Sequence, residues 1–184
     1  MKLDVITPPL GTPITYDQFA AHARLPDTND KDYCLLTIKD AVSFAESEID
    51  GSLFPQTLQM TSYHRPHHGV VPLWRGPVQS IVSVTLDGNL MDSSAYDLRC
   101  NGNSDYLYFY NISLSVPIVI QYVAGYPVDN NGLCHIPADL RRALLIQTSQ
   151  FYEFREGQAT RTLSQVQNGL QRIYDKYKRT SLIG

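Results

Sequence analysis

Cysteine is scarce in this chain. Cys34, Cys100 and Cys134 are 3 among 184 residues, an odd number at wide spacing. That pattern supplies neither a disulfide framework nor the paired ligands of a zinc site, and it fits reduced thiols in a cytoplasmic protein. Long apolar runs are missing too. No stretch approaches the roughly 18 consecutive apolar residues of a membrane span, so no membrane partner is expected. The opening MKLDVITPPLG lacks a basic stretch followed by an apolar one, which argues against secretion. Neither sign of charge dominates: 15 Lys and Arg stand against 18 Asp and Glu, a net charge of −3 that speaks against a dedicated nucleic-acid binder. Familiar chemical signatures are absent as well. There is no GxSxG nucleophile elbow, no phosphate-cradling glycine loop and no HExxH motif.

What is present is the pattern of one globular domain, 43% hydrophobic and 18% charged. Thr15, followed three residues later by Gln18, forms a capping box that opens a first helix to about Leu25, where Pro26 stops it. Leu35, Ile38, Val42, Ala45 and Ile49 then recur at spacings of 3, 4, 3 and 4, the apolar stripe of a second helix closed by Gly51 and Pro55. From Thr57 onward the period becomes two. Strands are predicted over Thr57–Tyr63, Val70–Trp74, Ile81–Leu86, Tyr96–Arg99, Tyr106–Tyr110 and Ile118–Val123, with turns at Asp87-Gly88 and Asn101-Gly102-Asn103. Helical spacing returns after Pro137 with Leu140, Ala143, Leu144, Phe151 and Phe154, up to Gly157. A fourth helix follows Ser164, with Val166, Leu170, Ile173 and Tyr177 on its buried side. The predicted fold is α+β: one domain over 1–184, with a four-helix body at 1–55 and 137–184 and a small antiparallel β subdomain inserted at 56–136.

Three features invite a functional reading. His64, His67 and His68 are three of the five histidines and sit near Trp74, the only tryptophan. On a helix their spacing would put them on one side as metal ligands. Pro66, Gly69 and strand-like flanks instead predict the tip of a hairpin, and no Cys or carboxylate lies between Gln56 and Arg75 to complete a metal site. Cys134 and His135 are neighbours in sequence and cannot by themselves converge on one substrate. The tyrosines Tyr106, Tyr108, Tyr110, Tyr122 and Tyr126 suit sheet faces and interfaces, or the stacking of bases and sugars. Charge is the third feature. Residues 1–54 carry 4 basic and 9 acidic side chains, whereas residues 137–184 carry 8 basic and 4 acidic. Candidate contact residues are therefore Arg141, Arg142, Arg155, Lys176, Lys178 and Arg179, the apolar tip Leu182 and Ile183, and the histidines His64, His67 and His68. The plain reading of Asp139, Arg141 and Arg142 is solvated helix charge. The tail RTSLIG reads as loose in an isolated chain.

Five segments in order resemble one group, the small head–tail connector (adaptor, or head-completion) proteins of long-tailed bacteriophages. They are VITPPLGTPITYDQFAAHARL, AVSFAESEIDGSLFPQTLQMT, VPLWRGPVQSIVSVTLDG, VIQYVAGYP and IPADLRRALLIQTSQFYEFRE. The first resembles a Pro-rich strand before a capped helix; the third resembles a strand–Pro–strand hairpin. The segment Ser62–Val70 and the residues after Glu156 depart from the resemblance. It implies a structural virion protein with no enzymatic activity, cofactor or metal, built in the host bacterial cytoplasm into a ring, usually twelvefold, at the neck. The portal would lie above, a tail-side completion, stopper or tail terminator protein below, and double-stranded DNA would pass through unbound during ejection. Two other classes stay open on the residues alone: a sugar- or nucleic-acid-binding module using the tyrosine-rich sheet, and a metal-assisted hydrolase using the histidines.

Overall fold

The structure, a computed structural model, describes residues 1–25, 30–63, 67–110, 117–153 and 163–179. The chain divides into two units. One gathers 11–49 and 128–178, the other 1–10, 50–127 and the segment from Arg179.

Thr15 opens the helical unit. Its hydroxyl accepts from the Gln18 amide at 3.2 Å, and the Gln18 side-chain oxygen accepts from the Thr15 amide at 3.0 Å, the reciprocal box the sequence predicts. Helix α1 (Tyr16–Ala23) ends at Arg24, whose left-handed φ of 51° turns its amide back to the Ala20 carbonyl. Pro26 lies outside the described residues. Helix α2 (Lys31–Ile49) buries Cys34, Thr37, Ile38, Ala41, Ala45 and Ile49. This corrects the predicted stripe: Leu35 is 38% exposed and Val42 only half-buried. Small side chains at 34, 37 and 41 let a neighbouring helix come close, and the helix turns them inward. Thr37 tolerates that position because its hydroxyl donates to the Tyr33 carbonyl at 2.8 Å.

Helix α3 (Ala138–Glu153) buries Leu140, Ala143 and Leu144 as expected, and also Gln147 and Thr148. The Thr148 hydroxyl donates to the Leu144 carbonyl at 2.8 Å. Phe151 is half-buried, while Phe154 and Gly157 fall outside the described residues. Helix α4 (Leu163–Tyr177) buries Leu170 and Tyr174, with Ile173 and Tyr177 half-buried beside them. Phe19 of α1 meets Tyr152 of α3 edge-on at 5.9 Å, which ties the first helix to the third.

The other unit is built from strands β1 (Lys2–Thr7), β2 (Gln56–Ser62), β3 (Val70–Leu73), β4 (Val78–Leu86), β5 (Asn89–Leu90), β6 (Tyr96–Asn101), β7 (Ser104–Phe109) and β8 (Ile118–Ala124). They form two antiparallel sheets, one ordered β1-β2-β8-β4-β5 and one ordered β3-β7-β6. The larger sheet takes its edge strand, β1, from the stretch 1–55 that the sequence assigns to the helical body. Along β8, Ile118, Ile120, Tyr122 and Ala124 are buried and the residues between them are half-buried, the period of two expected of a central strand. These side chains share one apolar core with Leu58 and Met60 of β2, Val71 and Leu73 of β3, and Leu107 and Phe109 of β7.

Two turns behave as read. Asp87 and Gly88 both have positive φ, 47° and 81°, and register Leu86 against Asn89. Gly102, at φ 59°, lies in the turn that brings Asn101 opposite Ser104. The hairpin predicted around the histidines does not form. β2 already has β1 on one edge and β8 on the other, so β3 pairs with β7 in the second sheet. The histidine segment is a crossover between sheets, because alternation reveals a strand but not its partner.

Candidate assembly surfaces

The histidine segment is anchored at its exit. Gly69, at φ 74°, lies so close to β7 that a Cβ there would come within 2.8 Å of the Phe109 carbonyl oxygen. Only glycine suits both that contact and that φ. His68 precedes it, exposed and at φ 53°. His64 and the side chain of His67 lie outside the described residues. Among the described residues, no three His, Cys, Asp or Glu side chains gather where a metal ion could sit.

Cys134 is buried, and that burial pushes its thiol up to about 11. A thiol so shifted is not a nucleophile near neutral pH. Its neighbour His135 faces Asp129 instead, at 3.7 Å. The carbonyl of Cys134 accepts from the Arg141 guanidinium at 2.7 Å, so Arg141 braces the loop before α3.

Asp139 is more than the solvated helix charge the sequence suggests. One carboxylate oxygen accepts from Lys176 at 2.7 Å and the other from the Tyr177 hydroxyl at 2.5 Å, which fastens the start of α3 to the end of α4. Hydrogen bonds from Lys176 and then Tyr177 hold this carboxyl below its ordinary pKa. Lys176 is raised in return, first through its hydrogen bond to Asp139.

Arg179, the first residue of the tail read as loose, is turned inward. Its guanidinium pairs with Asp105 of β7, the two side chains being 12% and 2% exposed. The same Asp105 oxygen accepts the Val78 amide at 2.8 Å. Gly76 leaves room for the pair, since a Cβ there would overlap both side chains. Of the remaining candidates, Arg142 and Lys178 are exposed, while Arg155, Leu182 and Ile183 lie outside the described residues. Several charges of the basic C-terminal stretch are thus engaged within the chain.

Three of the tyrosines, Tyr108, Tyr110 and Tyr122, are engaged as well. The Arg99 guanidinium lies 4.1 Å from the ring centre of Tyr108, and Tyr110 meets Tyr108 edge-on at 5.4 Å. The Tyr110 hydroxyl donates to Asp97. Tyr122 is fully buried and donates to the Trp74 carbonyl at 2.6 Å. A stacking platform needs open ring faces, and here Arg99 occupies the Tyr108 ring. Sequence reading missed Asp105, whose partners stand 27 and 74 positions away and leave no local pattern.

No helix among the described residues is long and apolar enough to cross a membrane. The chain matches no protein-family model and no curated protein. Its fold does match solved structures over its whole length. A chain in the neck of an empty gene transfer agent particle, computed with C6 symmetry, superposes with a TM-score of 0.82 at 17% identity, covering 100% of this chain and 98% of that one. A chain in the virion of the native gene transfer agent particle gives 0.79 at 17% identity, with the same coverage. A chain in the neck of the native particle, computed with C12 symmetry, gives 0.77 at 16% identity and again 100% and 98%. The α+β fold of this chain is therefore that of chains built into the neck of a phage-like particle.

Proposed function

We propose that this chain is a structural neck protein of a phage-like particle: a head–tail connector that forms a ring under the portal, joins the DNA-filled head to the tail and extends the DNA channel. The observation that carries this reading is the end-to-end fold correspondence with a particle-neck chain. The necks were computed with C6 and C12 symmetry, which supports a ring, and twelve is the copy number proposed here. A closed ring needs heterologous contacts, one patch meeting a different patch on the next copy. The uneven charge of the chain, net −5 over residues 1–54 and net +4 over residues 137–184, supplies such complementarity.

In this reading the portal lies above and a tail-side completion, stopper or tail terminator protein below, with Leu182 and Ile183 among the contacts. DNA passes without tight binding, because many phosphate contacts would hold the genome back. The protein works in the virion neck after assembly in the host cytoplasm, and it performs no catalysis. Electron cryomicroscopy of particles from the producing cells tests this directly. Density for this chain in a ring at the head–tail vertex is expected, and particles lacking the chain should accumulate as unjoined heads and tails. Density elsewhere in the particle, or normal particles without the chain, overturns the reading.

A further inference from the structure

The apolar rows of the larger sheet run off one of its edges. Val84 of β4, Ile120 of β8, Met60 of β2 and Leu3 of β1 stand in register across the strands, as do Ile81, Tyr122, Leu58 and Val5. Ile120, Met60, Tyr122 and Leu58 are buried. Leu3 packs against the core yet is only half-buried, and Val5 is 56% exposed. No strand among the described residues pairs with the outer edge of β1, which therefore presents a row of backbone donors and acceptors. Such edges are commonly blunted by a bulge or by charge. Here the bulge comes only after Val5, and the Lys2 ammonium is matched at 2.9 Å by Asp4 of the same strand.

The open edge is complementary to itself. Side chains alternate across a strand, so Leu3 and Val5 share the core face while Lys2 and Asp4 share the other. An antiparallel copy of β1 laid alongside, with Leu3 opposite Leu3, sets Lys2 opposite Asp4 and Val5 opposite Met1. Apolar pairs then fall on the core face and opposite charges on the other, the combinations that stabilise neighbouring strands. The row from Val84 to Leu3 continues into the same row of the second copy. No nearby register does as well. Sliding by one residue sets charges against apolar side chains, and sliding by two sets Asp4 against Asp4 or Lys2 against Lys2.

We propose that two free copies pair β1 to β1 about a two-fold axis, which joins their larger sheets into one. The contact is isologous, the same patch on both sides. It goes beyond the ring reading and does not rest on it. Copies that all point one way round a channel leave no two-fold between neighbours, so the pair belongs to the chain before it enters a particle. Sedimentation of the full chain over about 1 µM to 1 mM, a range that covers weak contacts, tests it. The native chain should pass from monomer to dimer. Lys2→Asp leaves only carboxylates on the outer face of the contact and should weaken pairing about tenfold or more. Lys2→Asp with Asp4→Lys restores opposite charges and should return the dissociation constant to within about threefold of native. A chain that stays monomeric throughout, a dimer indifferent to Lys2→Asp, or a double variant no better than the single one overturns the proposal. A second measurement fixes the register. Cys34 and Cys134 are buried, and Cys100→Ser removes the exposed thiol. In that background Leu3→Cys should form a disulfide between copies on oxidation, because directly opposed strand residues stand about 4.5–5.5 Å apart between Cα atoms. Thr7→Cys, past the bulge, should not. Absence of the link at Leu3, or an equal yield at Thr7, overturns the proposal. Both measurements use the free chain, so their failure leaves the ring reading untouched.

Discussion

In the sheet unit the buried charge of Asp105 is answered twice, by the Arg179 guanidinium and by the Val78 amide. In the helical unit Arg141, Gln150 and Tyr174 each carry a buried donor with no acceptor among the described residues. The contrast extends to the surroundings: the sheet core is a continuous set of aliphatic and aromatic side chains, whereas α3 turns Gln147 and Thr148 inward among its apolar residues. An interior with every polar group satisfied is complete as a folding unit. One with unanswered donors carries an unmet desolvation cost.

The largest expected effect comes from breaking the satisfied site. Asp105→Ala should cost about 3–5 kcal/mol in urea unfolding, because it strands a buried guanidinium and a backbone amide. Replacing both partners with apolar residues, Asp105→Leu with Arg179→Met, should recover much of that loss. A single-variant cost below about 1 kcal/mol would show that the charge pair is solvated. Next is the helical core. Ile38→Ala should cost about 2–5 kcal/mol and Val42→Ala less than half as much, since only Ile38 is fully buried. Equal costs would restore the stripe predicted from spacing alone. Thr15→Ala should cost about 1 kcal/mol by removing one half of the capping box. Circular dichroism at a series of temperatures suffices to read it.

The smallest effect is a matter of pH. Asp139 is held below its unfolded value, so its contribution is fully present above about pH 4 and is lost as pH falls through the lower folded value. Melting curves of the native chain and Asp139→Asn should therefore differ near pH 7 and draw together as pH falls through the lowered folded value. A constant gap between them across that range would remove the Lys176–Asp139 bond from the account of how α3 and α4 are held.

Elements governed by local chemistry were legible in the sequence. The Thr15–Gln18 box, the Asp87-Gly88 turn and the alternation along β8 each depend on residues a few positions apart. The face of α2 was read slightly out of phase because spacing weighs leucine above alanine and threonine, while close helix packing rewards the small residues. Strand pairing was not legible where two partners compete, and so the histidine crossover was read as a hairpin. The Arg179–Asp105 pair depends on contact between distant segments, which no local pattern records.

The anchoring of Arg179 also sets a leash. Its side chain is fixed to β7, so the residues that follow start from a known point on the sheet unit. A fully extended chain advances about 3.5 Å per residue, so Leu182 and Ile183 can reach only some 10–14 Å from the Arg179 backbone, and Gly184 roughly 17 Å. Any surface that these residues touch must come within that radius, and a docking partner can be mapped by distance before it is mapped by contact.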